Sequence, residues 1–348
     1  MAFRYWVGAS GNWDSSDTSH WAATTGGAPG ASVPTPFDDV LFDGNSGGTV
    51  NVDLGASASC KSLRFAGPYV ILDLQGTYNI SVAGDVTLFR VTIVDPPATG
   101  VFVVTGDCTF RSHGYDARGV VIAGGTTTLA DALWCSASLV CSSTGALDTA
   151  GYAVTVGQFR SIGAGASTVL NGSLVTVTGA GTAWDFVAGN LAAGTSTIKF
   201  IDGSGADRTF NGGGKVYCNA WFSGAYTGTL RLSGSNTFDD LRSDAGLHVI
   251  ELAAGTTQTV TTLTLGGTGA GTRTTLRSGT SGVACYLSCP GGDIACEWLV
   301  LQDSHASGGA TFTATSSTDA GGNSGWSIVA PVVPPTRDRR VRLTYIRR

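Results

Sequence analysis

The chain has 348 residues with 20 Lys and Arg against 25 Asp and Glu, a formal net charge of −5, and a hydrophobic share of 42%. That share is ample for a core and argues against a disordered low-complexity chain, despite the Gly, Ser and Thr bias. Glycine reaches 51 and charged residues fall to 13%, about twice and about half of ordinary usage. With one Met and two glutamates, Glu251 and Glu297, there is little to build helices from, and an α/β enzyme with a helical layer is not expected.

In chain order, the opening MAFRYWVGASGNW lacks the basic region and apolar stretch of a secretory signal. No run approaches the ~18 apolar residues of a membrane span. Synthesis and folding in a cytosol, without membrane insertion, are therefore expected. Residues 1–48 are rich in aromatics, aspartate and proline. Stacked strands leave raw edges at their ends, so a first coil needs irregular, bulky cover. Trp6, Trp13, Trp21 and Phe37 are the expected plug. Asp38, Asp39, Asp43 and Asn45 offer calcium-type oxygens, but calcium takes six or more and the spacing is not that of an EF-hand. No metal or cofactor is assigned.

From 49 to 329 short runs alternate β-branched and small polar residues between glycine turns, as in VNVDL (50–54), YVILDL (69–74), YAVTVGQF (152–159), GTLRLSG (228–234) and TQTVTTLTLGG (257–267). Period two with glycine punctuation predicts strands throughout. Coils of roughly 20 to 30 residues fall in the range of repeat architectures. The expected fold is all-β, a single-stranded parallel β-solenoid, with Val, Ile, Leu and Phe inward and Asn, Thr and Ser laddered at the corners. The eight cysteines, Cys60, Cys108, Cys135, Cys141, Cys218, Cys285, Cys289 and Cys296, show no CxxC. They read as free, buried thiols packing as small hydrophobes, with a pair among Cys285, Cys289 and Cys296 as the alternative.

Polysaccharide cleavage by a solenoid needs two carboxylates on one face. Asp202 with Asp207, the group Asp239, Asp240 and Asp244, and Asp293 with Glu297 are the candidates. All sit beside glycine or serine, where aspartate commonly caps turns, so no catalytic residue is assigned. His20, His113, His248 and His305 lie far apart without a nucleophile motif, and His305 reads as a turn residue. GGGK (212–215) lacks the phosphate-loop frame. Among the aromatics Trp134, Trp184, Trp221, Tyr226 and Trp298, the pair Trp221 and Tyr226, flanking a glycine turn, is the preferred sugar-stacking surface.

The end of the chain changes character. Three prolines in 329–335 form a stiff linker, and residues 336–348 carry six arginines against one aspartate, leaving −10 on residues 1–335. RVRLTYI alternates basic and apolar faces, as suits a strand added to a neighbour's sheet edge. Arg337, Arg339, Arg340, Arg342, Leu343, Tyr345, Arg347 and Arg348 are the expected partner-docking residues. A nucleic-acid contact is the alternative.

LDTAGYAVTVGQF (147–159), GTAWDF (181–186), STIKFIDGSGADRTFNGGGKVY (196–217), GSNTFDDL (234–241), LQDSHASGGATF (301–312) and STDAGGNSGW (317–326), with RYWVGASGNWDSSDTSHW (4–21) at the start, together resemble phage tail and virion β-solenoid proteins. The resemblance implies a non-enzymatic virion component assembled in the host cytoplasm: a tail fibre, spike or head decoration that reaches a host surface. Its partners would be other virion proteins, met through the C-terminal tail, and host-surface glycan. A homo-trimer is among the assemblies allowed, although no heptad repeat enforces one. The alternatives are a tailspike hydrolase or lyase and a bacterial surface adhesin. The expected divisions are a cap (1–48), the solenoid (49–329) and the proline linker with its docking tail (330–348).

Overall fold

The computed structural model describes residues 2–94, 99–201, 205–224, 227–244, 246 and 249–331. These contain 37 β-strands and no helix, stacked in parallel as a β-solenoid of about 12 turns. Hydrogen-bonded partners on successive turns lie about 19 to 24 residues apart along the chain. The expected all-β solenoid is the fold of this chain.

Alternation builds each strand. In Val50–Leu54, the side chains of Val50, Val52 and Leu54 are buried while Asn51 and Asp53 face out. Each early turn contributes to three faces. One face stacks Phe3–Trp6, Asp39–Phe42, Ser62–Phe65, Val86–Thr87 and Cys108–Arg111, and continues to Asn190–Ala192. A second begins with Gly11–Trp13, Val50–Leu54, Val70–Asp73 and Val91–Val94. The third runs from Ala58–Cys60 to Thr318–Asp319. It is an open stack rather than a barrel, because these two end strands pair on one side only, with Ile80–Val82 and Leu299–Gln302.

Two long strands, Leu133–Cys141 and Val154–Ser161, turn a corner and serve the second and third faces in succession. A register shift between Cys135 and Ser138 supplies the bend. Beyond Asn190–Ala192 the first face shrinks to tight turns such as 213–214 and 254–255. Gly213 and Gly255 hold φ of 60° and 74° there, a conformation that costs glycine nothing.

The core is a pile of like on like, because register places equivalent residues directly above one another. Val40, Leu63, Val86 and Phe110 are one such column. Phe42 and Phe65 stack at 4.8 Å, Phe159 and Trp184 at 4.3 Å, and Tyr217 and Phe238 at 5.5 Å. Offset stacking of this kind adds to the area buried. All eight cysteines are free and all but Cys218 are buried. Burial pushes the thiols of Cys108 and Cys141 up to about 12, so they pack as inert hydrophobes.

Between turns, Asn, Thr and Ser side chains bond as expected, as in Asn219 to Thr197 and the Val101 N–H to Asn79, and aspartate joins them as a staple. Asp85 accepts a hydrogen bond from the Thr109 backbone N–H of the next turn at 2.7 Å, and Asp107 from Thr126 at 2.9 Å. Asp116 bridges its own turn, through Arg118, and the next, through Ser136. A short carboxylate reaches one strand spacing and takes donors that would otherwise be orphaned at a corner. Asn171 bonds back to Asp148, at 2.8 Å, and inside the coil Ser173 donates to Thr149.

Strand pairing begins at residue 3 and not near 49. Phe3–Trp6 and Gly11–Trp13 pair in parallel with Asp39–Phe42 and Val50–Leu54, so most of the expected cap belongs to the stack. The cover is the excursion between them, whose Trp21–Ala22 lies antiparallel on Phe3–Trp6. Trp6, Trp13 and Trp21 are buried, with Trp21 edge-on to the others at 5.2 and 5.1 Å. Phe37, expected in this plug, is 74% exposed. Buried Asp38 accepts from the Thr35 N–H and hydroxyl and from the Ala2 N–H, and the tight turn it closes turns Phe37 outward. At the other end the outer edges of Thr318–Asp319 and Trp326–Ile328 have no strand partner among the described residues.

Candidate functional site

Trp221 lies on the second face, where Trp134, Thr155, Thr176, Lys199, Trp221 and Arg242 share one outward register position on successive strands. Lys199 Nζ sits 3.6 Å from the indole centroid and the Arg242 guanidinium 4.3 Å, from the neighbouring strands on either side. Both faces of the ring are thus covered by cations. Its Nε1–H donates to Asp244 at 2.7 Å, and Asp244 also accepts from the Ser223 hydroxyl and the Gly224 N–H. Burial opposes ionisation of Asp244, but these hydrogen bonds and nearby Lys199 outweigh it and hold the carboxyl below the usual range. Trp221 is half-buried, with Lys199 and Arg242 over its ring. Tyr226 lies outside the described residues, as do Asp202, His248 and the docking residues Arg337, Arg339, Arg340, Arg342, Leu343, Tyr345, Arg347 and Arg348. Register adds what the chain order hides: Trp134, 46% exposed, stands on the same column as Trp221.

The remaining sequence candidates scatter. Asp239 and Asp240 lie within the strand Thr237–Ser243 rather than in a turn, with Asp240 accepting from Thr262 and facing Arg242 at 3.7 Å. Thr229 N–H and Arg231 bond Asp207 and hold its carboxyl low. Asp293 and Glu297 occupy the two ends of one strand, about 13 Å apart along it. His305 belongs to the strand Ser304–Gly308, edge-on to Tyr286, not to a turn. His20 stacks on Trp6 at 4.7 Å. Trp184 is buried and donates to Tyr217, and Trp298 lies beneath the Arg273 guanidinium. Of the calcium-type oxygens, Asp38 caps the Thr35 turn, Asp39 accepts from Ser62, and Asp43 accepts from the Asn45 N–H. No group of three or more His, Cys, Asp or Glu among the described residues converges as a metal site.

A concave surface that reading by motif passes over lies on the first face, near the N-terminal end. Phe3, Leu41, Ser62, Arg64, Asp85, Thr87, Arg111 and His113, with Asp39, line a groove of about 550 Å³. Two outward columns form it. Asp39, Ser62 and Asp85 stack in one, and Leu41, Arg64, Thr87 and Arg111 in the other. Short Ser62 and Thr87 make the floor, and the long side chains make the walls. Phe3 is 54% exposed at one end and His113 closes the other, 3.9 Å from Asp131. The groove crosses five strands, about 19 Å along the solenoid axis. In the sequence its residues are spread over more than a hundred positions, and only the pairing register assembles them.

Comparison of the chain with protein-family models, with curated proteins and with solved structures found no match.

Proposed function

We propose that this chain is a non-enzymatic structural component of a phage virion, a fibre, spike or decoration, which joins the particle through its C-terminal end and presents the rest of the solenoid to host-surface glycan. The observation that carries this reading is the inequality of the two ends. The N-terminal end is sealed by Trp6, Trp13, Trp21 and an antiparallel strand, whereas the described C-terminal strands end on open parallel edges. The sequence then continues into the proline linker and six arginines. An open edge followed by a basic, alternating segment suits addition to a partner's sheet. The acids support the same reading, since Asp85, Asp107, Asp116, Asp207 and Asp244 are committed to holding turns together.

The test is deletion of residues 336–348 in a host producing particles. The truncated protein should keep the β-rich spectrum of the full chain and no longer enter particles; incorporation at the normal copy number would overturn the proposal. A second reading, polysaccharide cleavage, has one observation in its favour: Asp39 and Asp85 flank the groove two strands apart, about 9 to 10 Å between backbones. Each already commits one oxygen, to Ser62 and to the Thr109 N–H. New reducing ends from capsule or lipopolysaccharide, lost in Asp39→Asn or Asp85→Asn, would establish it.

A further inference from the structure

The geometry points to the groove on the first face as a binding site for a linear acidic polysaccharide, its sugar carboxylates taken by Arg64 and Arg111; this rests on, and sharpens, the glycan-contact reading above. The first observation concerns arginine partners. Further along the stack, several outward arginines are matched to carboxylates: Arg160 to Asp185 at 3.2 Å, Arg231 to Asp207 and Glu251 at 2.8 and 2.9 Å, Arg277 to Glu251 at 2.6 Å. Arg64 and Arg111 are exposed, and their guanidinium groups make no hydrogen bond or ion pair with a described residue. A guanidinium is a rigid fork that matches a carboxylate in two parallel hydrogen bonds. Two unmatched forks in one column, on either side of Thr87, are a spaced receptor for repeated carboxylates.

The second observation is spacing and direction. Arg64 and Arg111 are two strands apart, about 9 to 10 Å, an interval comparable to that between alternate sugars of an extended polysaccharide. The groove runs along the solenoid axis, so such a chain would lie across the strands and meet both arginines. Third, the groove holds what a sugar needs besides charge. Phe3 presents an exposed ring for the apolar C–H face of a pyranose, and Asp39, Ser62, Asp85 and Thr87 supply hydroxyl acceptors and donors.

The same acids argue against a nucleic acid. Beside each carboxylate a uronic acid carries hydroxyls that can donate to Asp39 and Asp85, whereas the phosphodiester backbone of an oligothymidylate offers these two acids no donor. The site also lies toward the sealed N-terminal end, away from the edge assigned to docking, so one rod can hold a particle and a glycan at once.

The test is calorimetric titration of the full-length protein with hexagalacturonate, with uncharged cellohexaose and with a short oligothymidylate. Hexagalacturonate should bind, more weakly as salt rises, and Arg64→Gln and Arg111→Gln should each weaken it at least about tenfold while keeping the melting profile of the parent. Phe3→Ala should weaken it less. Arg277→Gln, far along the third face, should leave it unchanged. Absence of hexagalacturonate binding, equal affinity for cellohexaose, tighter binding of the oligothymidylate, or insensitivity to both arginine changes would each overturn the inference. Particle incorporation separates the two readings. Protein that enters particles but binds no hexagalacturonate refutes this site alone, and protein that binds it but never enters particles refutes the virion role alone.

Discussion

At the scale of the residue, many outward side chains of this solenoid act through neighbours one turn away as well as through neighbours in sequence. Asp244 is the clearest case. It accepts from Trp221, Ser223 and Gly224, all 20 or more residues earlier, and its carboxyl is held below the usual range. A carboxyl whose folded value is depressed stabilises the fold fully above its unfolded value, about 3.9, and loses that contribution as pH falls through the folded value. Asp244→Asn should therefore cost about 1.5 to 3 kcal/mol near pH 7, in proportion to the charge-assisted bonds weakened. The gap to the parent should narrow below about pH 4, where the parent's own carboxylate is being lost. Urea midpoints at the two pH values read this directly, and a gap that stays constant with pH would show that Asp244 acts only by shape.

At the scale of the element, turn geometry sets how closely successive coils approach. Gly125 holds φ of 64°, and a Cβ there would overlap the Gly106 backbone of the preceding turn. Gly151 has φ of 84° but open space around it. Alanine at Gly151 should cost about 1 to 2 kcal/mol, the penalty for left-handed backbone alone. At Gly125 the same change must also push two turns apart, so its cost should be clearly larger, with a lower urea midpoint or loss of folded yield. Equal costs at the two sites would mean that the stack can give way there. The strand existence behind these turns was legible in the alternation of runs such as VNVDL and TQTVTTLTLGG. Their phasing was not, because turns of unequal length leave no constant repeat to count.

At the scale of the whole molecule, each turn contacts its neighbours above and below, so stability is close to one-dimensional and the ends carry special weight. Trp21 seals the first turn with edge-on contacts to Trp6, Trp13 and Phe42. Trp21→Ala should cost about 3 to 5 kcal/mol and should act locally: amide hydrogen exchange should speed up over residues 3–65 while residues 285–315 keep their protection. Uniform loss of protection would show that the solenoid unfolds as one unit. At the opposite end the outer edges of Thr318–Asp319 and Trp326–Ile328 have no strand partner among the described residues, and the sequence beyond them changes from an acidic body to a basic tail.

The sequence by itself determined the all-β class, the parallel stacking of short strands and the burial of Trp6, Trp13 and Trp21, because period-two alternation, glycine spacing and bulky aromatics are local properties of a chain. Tertiary structure alone decided where the stack begins, since pairing of Phe3–Trp6 with Asp39–Phe42 spans an irregular excursion that no periodicity announces. It also decided which side chains share a surface. Lys199, Trp221 and Arg242 became one cation-flanked stack, and Arg64 and Arg111 became two prongs of one groove, through strand register. Register depends on the length of every turn between, and a sequence read by local pattern does not reveal that length.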